Sequence, residues 1–259
     1  MYDEKFLLEA ALKNDNADGR KDVVIDIETS PHLAYTFQLF DARIAPQQIV
    51  EPSRILCFAA KTVGSKRTQF YSEFHHGRDV MIKKLWETID GANTVITYNG
   101  DAFDLKHIRR EFLLNGLPPA REPHSMDLLK TMRRKFKLHS NKLDEVGKAL
   151  NIGQKLQHSG WKLWEGVLRN DEASWKLFKK YNIQDVVLTE SAYLELLPWI
   201  VSLPHAAYGK EAVCAACGAD TLIPNGEKVT RGGKQTSLRC LSCGANNVLT
   251  AGGKTRHAA

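Results

Sequence analysis

The segment Val23-Val24-Ile25-Asp26-Ile27-Glu28 constrains the fold more than any other stretch. A short β-branched run bounded by polar residues reads as a buried strand. Side chains alternate along a strand, so Asp26 and Glu28 project from one face and Ile25 and Ile27 from the other. Two carboxylates side by side at the end of an apolar strand repel one another, and burial sharpens the repulsion. Either the strand ends at Asp26 and both acids are solvated, or a divalent cation resolves the conflict. Hard oxygen ligands in such a group suit Mg²⁺ or Mn²⁺.

Further strands are predicted over about 54–62 and 67–72, joined by the turn Gly64-Ser65-Lys66, and over 94–98, ended by Asn99-Gly100. Val80, Met81, Leu85, Trp86 and Ile89 recur at helical spacing over 78–90. Helices are also predicted over 101–115, 126–135 and 141–150. A long last helix runs over 171–197, capped by Asn170 or Asp171 and stopped by Pro198. A few strands, then strands alternating with helices, point to an α/β domain with a mixed sheet flanked by helices.

At 259 residues the chain holds one ordinary domain and a small appendage. The reading is an N-terminal extension over 1–21, a main domain over 22–200, a linker over 201–209, a cysteine module over 210–250 and a flexible tail over 251–259. The longest apolar runs are far shorter than a membrane span. The first residues mix acids with lysines and lack the apolar stretch of a signal peptide. A cytoplasmic chain without a membrane partner is expected. The formal charge of +6 favours a polyanionic partner. After Leu203, seven basic residues stand against three acids, so most of the excess lies beyond that point.

Two more acidic elements carry potential chemistry. In Asn99-Gly100-Asp101-Ala102-Phe103-Asp104 a strand turns into a helix, and acids in a first turn face the helix N-terminus favourably. Phe103 is expected to anchor this turn in the core and so aim Asp104 toward the sheet edge. Within the last helix, Tyr181 and Asp185 are four apart and share a face with Phe178, Leu188 and Ala192. An acid and a phenol on an inward stripe need partners. Each element alone also has a structural reading: Asp101 or Asp104 as a first-turn acid, Tyr181 as a packed phenol beside a half-exposed Asp185.

Together, Asp-Ile-Glu-Thr after an apolar strand, Asn-x-x-x-Phe-Asp opening a helix and Tyr-x-x-x-Asp in a late helix resemble the DEDD exonucleases. The likeness covers about residues 22–198 and is greatest to stand-alone relatives of the proofreading exonuclease domains of family-B DNA polymerases. The stretches His124-Ser125-Met126-Asp127-Leu128-Leu129 and Ser140-Asn141-Lys142-Leu143 add to it. The resemblance implies an RNase H-like fold and metal-dependent 3′–5′ exonuclease activity, with release of 5′-mononucleotides from single-stranded DNA or RNA 3′ ends. It implies Asp26, Glu28, Asp104 and Asp185 as ligands of two Mg²⁺ or Mn²⁺ ions. One ion would be held by Asp26, Glu28 and Asp185, the other by Asp26 with help from Asp104. Where one branch of the family carries His, this chain has Lys180, so the Tyr branch applies and Tyr181 is implied to orient or deprotonate the attacking water.

Thr29, Asn99 and Phe103 are candidates for touching the terminal nucleotide. Arg109, Arg110 and the run Arg133-Arg134-Lys135-Phe136-Lys137 either track phosphates or form a solvated face. Trp161 and Trp164 read as packing residues more readily than as base-stacking ones. No phosphate-binding loop of the G-x-x-x-x-G-K-[ST] type occurs, which excludes the corresponding ATPases. A non-catalytic nucleic-acid-binding scaffold and an RNA exonuclease remain as alternatives, as does an endonuclease.

Cys214-Ala-Ala-Cys217-Gly218 and Cys240-Leu-Ser-Cys243-Gly244 form two matching knuckles separated by 22 residues. In a chain without a secretory signal this reads as a metal site before a disulfide pair. The module resembles a zinc ribbon, with one structural Zn²⁺ held by four thiolates that leave no open position. Its charge suits nucleic acid, and ribbons also dock proteins, here a replication or repair protein. Cys57 reads as a small buried hydrophobe.

Overall fold

The computed structural model describes residues 21–38, 40–200, 213–230, 233–249, 253 and 255–257. The N-terminal extension (apart from Lys21) and the 201–209 linker therefore lie outside the described residues. Five strands form the main sheet in the order β5-β4-β1-β6-β7. These are β1 (Asp22–Thr29), β4 (Ile55–Thr62), β5 (Gln69–Ser72), β6 (Thr94–Thr97) and β7 (His124–Asp127). β4 and β5 run antiparallel to their neighbours, whereas β1, β6 and β7 are mutually parallel. The short hairpin of β2 (Leu33–Ala34) and β3 (Ile49–Glu51) follows β1.

β1 separates two apolar layers, as its alternation demands. Val23, Ile25 and Ile27 pack with Met81, Leu85, Ile108 and Phe112 from α2 (Arg78–Asp90) and α3 (Asp104–Leu114). Val24 faces the other layer, with Leu56, Cys57 and Ile96, under Phe178, Val186 and Leu188 of α7 (Glu172–Leu196). Fully buried side chains such as Phe58 and Phe178 contribute roughly 1.5–3 kcal/mol each. The 25-residue α7 starts where Asp171 accepts from the Ser174 N–H at 2.8 Å. Lys61 of β4 pairs with Glu190 of α7, which also accepts from the Gly64 N–H at 2.8 Å. Around this frame lie α1 (Glu73–His76), α4 (Leu128–Lys135), α5 (Leu143–Ala149) and α6 (Trp161–Leu168). Among the described residues, no helix is long and apolar enough to cross a membrane.

Several boundaries differ from the sequence reading. Met126 and Asp127 are not helical but end β7, which pairs with β6, and the helix starts after Asp127 caps it by accepting from the Leu129 N–H at 3.0 Å. The 101–115 helix starts at Asp104, because Asn99 takes a left-handed φ of 73° and residues 99–103 form a turn. Helix α6 and the β2–β3 hairpin carry no clear periodicity and were not legible. The tail is not wholly irregular. Thr255–His257 forms β11, paired with β10 (Asn246–Leu249), and the Thr255 hydroxyl bonds the Val213 carbonyl. With β8 (Leu222–Thr230) and β9 (Gly233–Cys240) these make a second sheet in the order β11-β10-β9-β8.

Gly100 closes the turn after β6 against the Thr97 side chain, where an added Cβ would overlap Thr97 Cγ2 at 2.6 Å. Gly100→Ala is therefore expected to lower stability by about 1–3 kcal/mol in a denaturant titration. Wild-type stability in this variant would contradict the packing described.

Candidate active site

β1 and β6 pair only as far as Val24 and Ile96, so the strands part beyond that point. β1 continues along β4 to Thr29, with an irregular register between Glu28 and Thr29. Asp26 and Glu28 sit on this stretch, on the face covered by α7. Carboxylate oxygens of Asp26, Glu28 and Asp185 lie within 4.8 Å of one another. Asn182, one turn before Asp185, donates to Asp26 Oδ2 at 2.7 Å and to the Asp26 carbonyl at 3.2 Å. Asp104, from the start of α3, accepts from the Ile27 N–H at 3.2 Å, in the gap where β1 has left β6. It is buried beside β1 but outside the tight group of three.

Tyr181 is one turn from Asp185 and faces inward with it. Lys155 bridges the two: its Nζ lies 2.5 Å from Asp185 Oδ2 and 3.2 Å from the Tyr181 hydroxyl. The Tyr181 ring packs edge-on against His158 and Trp164.

The electrostatics follow from crowding. Burial, then the charges of Asp104, Glu28 and Asp185, push the Asp26 carboxyl well above its ordinary value. Burial and Asp185 raise Glu28 to about 8. Burial raises Asp104 to about 6 despite the Ile27 amide. Asp185 is also raised by burial, against the opposing Lys155. Burial lowers the Lys155 ammonium, but Asp185 and Tyr181 outweigh it and hold it above its ordinary value. Burial and Asp185 raise the Tyr181 phenol, which stays protonated at neutral pH. Asp185 is 1% exposed at its side chain, and its Oδ1 has no hydrogen-bond partner. A buried acceptor without a donor beside two more carboxylates fits a hard divalent cation.

The remaining candidates divide. Asn99, Asp26, Tyr98, Arg133, Lys142 and Lys155 line one cleft of about 590 Å³. The Asn99 N–H is held by Asp127 at 2.9 Å. The Thr29 carbonyl accepts from Trp164 Nε1 at 3.1 Å, so Trp164 is a packing residue, as its spacing suggests. Phe103 does not anchor the turn: it is 41% exposed and packs at a tilt against the His107 ring, while buried Leu105 holds the start of α3. Asp101 is engaged by Ser125 and Lys130, away from the group. Arg109 and Arg110 pair with Glu122 and Glu111. Trp161 is 61% exposed. Lys155 and Asn182 were missed. Asn182 follows Tyr181 directly, and a polar residue beside a motif on a buried helix was the available signal.

In the second sheet the four cysteines converge: the Sγ atoms of Cys214, Cys217, Cys240 and Cys243 lie within 4.8 Å of one another. The two knuckles repeat one geometry. The N–H of Gly218 bonds the Cys214 carbonyl at 2.8 Å, and that of Gly244 bonds the Cys240 carbonyl at 2.9 Å. Both glycines adopt positive φ, 75° and 76°. Asn247 donates to Cys214 Sγ at 3.5 Å and accepts from the Ala215 N–H at 2.7 Å. Four buried sulfurs in this arrangement fit a tetrahedral ion. Their layer is continuous with the one beneath α7.

The raised carboxylates make a pH prediction. The folded, metal-free chain keeps protons on Glu28 up to about 8 and on Asp104 up to about 6, whereas the unfolded chain releases them near ordinary carboxylate values of 4.5 and 3.8. The folded form binds more protons across that window, so this contribution is full at acid pH and is lost as pH rises through it. Melting in chelator is expected to weaken from about pH 6 to about pH 8, less so in Glu28→Gln, and added Mn²⁺ should reverse the loss. A slope identical in Glu28→Gln would contradict this account.

Comparison with known proteins agrees with this architecture. The family model described as the RNase H superfamily matches residues 50–196, more than half of the chain, including Asp104, Tyr181 and Asp185. No curated protein matches. In fold the chain is similar to the family B DNA polymerase from the hyperthermophilic archaeon Pyrobaculum calidifontis, with a TM-score of 0.52 and 16% identity. That likeness covers 73% of this chain and 26% of the polymerase, so the chain spans about a quarter of its relative's length. With a mixed sheet flanked by helices and a matching family model, the chain belongs to the RNase H superfamily.

Proposed function

We propose that the chain is a metal-dependent 3′–5′ exonuclease that hydrolyses single-stranded nucleic acid and releases 5′-mononucleotides. The observation that carries this reading is the meeting of Asp26, Glu28 and Asp185 within 4.8 Å, with Asp185 Oδ1 buried and unpaired. DNA is the favoured substrate, since the structural neighbour is a DNA polymerase.

Asp26, Glu28 and Asp185 would hold Mg²⁺ or Mn²⁺, with Asp104 beside Asp26. The bound ions would supply an acidified water and a positive charge at the leaving 3′ oxygen. Burial and Asp185 favour the protonated phenol of Tyr181 in the metal-free chain, which supports the role of orienting the attacking water through its hydroxyl. Lys155 keeps that hydroxyl in place and, being cationic, offers charge to the phosphate. Asn182 fixes the rotamer of Asp26. Arg133 and Lys142 on the cleft wall suit the backbone of the strand, and exposed Phe103 suits a stacked base. At the other end, one structural Zn²⁺ on the four cysteines would staple a small sheet with few apolar residues of its own.

The test is degradation of one sequence as DNA and as RNA, labelled at either end, in Mg²⁺, Mn²⁺ or chelator. Stepwise shortening from the 3′ end is expected. Asp185→Asn should reduce it by at least about a hundredfold and Tyr181→Phe by roughly ten- to a hundredfold. Strands that stay intact while remaining bound to metal-loaded protein would replace this reading with a non-catalytic scaffold.

A further inference from the structure

Asn182 of α7 and Cys57 of β4 are both fully buried. Helical spacing places Asn182 one turn before Asp185, and the pairing of β1 with β4 places Cys57 opposite Glu28. Two uncharged polar side chains from different elements thus stand directly behind the carboxylates, and Cys57 also belongs to the apolar layer beneath α7.

The partners of the Asn182 amide fix which way it faces. Its nitrogen donates to Asp26 Oδ2 at 2.7 Å and to the Asp26 carbonyl at 3.2 Å. That carbonyl can only accept, so a flipped amide would set oxygen against oxygen there. The amide oxygen therefore points the other way, into the core, where it needs a donor. Among the described residues, its partner is Cys57 Sγ, at 3.8 Å. A thiol is a weak donor and the contact is long. Its weight lies in what its loss leaves behind: a buried amide oxygen with nothing to accept from. Such an amide turns more freely, and its grip on Asp26 loosens with it. Burial pushes the Cys57 thiol up, so its proton stays available to donate.

We propose that Cys57 is a positioning residue for the carboxylate centre: its S–H holds the Asn182 amide, and the amide holds Asp26 in the orientation that a divalent cation requires. The inference rests on the reading of that centre as a cation site. One chain of hydrogen bonds, thiol to amide oxygen and amide nitrogen to carboxylate, then ties β4 through α7 to β1. Cys57 does more than the small hydrophobe that its apolar run suggests.

The test is a double-mutant cycle on Mn²⁺ affinity in the full chain, with a melting curve recorded for each variant. Asn182→Leu should weaken binding about tenfold and Cys57→Ala about three- to tenfold. Because Cys57 acts through Asn182, Cys57→Ala should cost nothing further in the Asn182→Leu background. Cys57→Val, which fills the space without a donor, should bind Mn²⁺ no better than Cys57→Ala. Losses that multiply in the double variant, or wild-type affinity in Cys57→Val, would reduce Cys57 to packing and overturn the proposal. Raman spectra of the metal-free chain give an independent readout. The S–H band that disappears in Cys57→Ala should lie at the lowered frequency of a bonded thiol and rise in Asn182→Leu. A band that keeps its position in Asn182→Leu would overturn the proposal as well. Neither measurement involves nucleic acid, so a chain that meets both expectations yet cuts no strand would strike the nuclease reading alone. A wild-type chain that binds no Mn²⁺ would strike the cation reading and this proposal together.

Discussion

Like charges held together where a strand meets a helix dominate this molecule. Asp26 and Glu28 are committed to one face by the alternation of β1, and the alternating Ile25 and Ile27 are committed to the opposite core. Asp185 is committed to the same place by the inward stripe of α7. None of the three can turn away without exposing Ile25, Ile27 or Phe178 to water. The fold therefore concentrates acidity at one point, and the charges raise one another's affinity for protons or for cations.

Asn182, the Ile27 amide and Lys155 hold this arrangement, and only Lys155 among them brings a charge that opposes it. Asn182 donates to Asp26, and the Ile27 amide, left free where β1 and β6 part, donates to Asp104. Lys155 satisfies one oxygen of Asp185 and leaves the other open. Its ammonium also fixes the Tyr181 hydroxyl, so acid and phenol are aligned by one cation. The distant cysteine cluster shares the α7 side of the core, and so ties the second sheet to the helix that carries Tyr181 and Asp185.

Much of this was legible from spacing. Period two on β1 and spacing four on α7 fix faces regardless of tertiary detail, which is why Asp26, Glu28, Tyr181 and Asp185 could be placed. The cysteine knuckles were legible for the same reason. Lys155 was not, because it lies in the irregular segment between α5 and α6, where no period assigns a direction. Phe103 misled: a phenylalanine beside Asp104 suggested an anchor, yet Leu105 fills that place and Phe103 faces water. The four residues of β7 are too few and too polar to show strand alternation, and only pairing with β6 defines them.

The most direct measurement is Mn²⁺ binding to the metal-stripped chain, followed by the loss of the free-ion paramagnetic signal. Saturable binding is predicted, weakened at least about tenfold by Asp26→Asn while the cysteines and the fold are unaffected. Binding of equal strength in Asp26→Asn, or no binding to the wild-type chain, would contradict the account of a cation-demanding carboxylate centre.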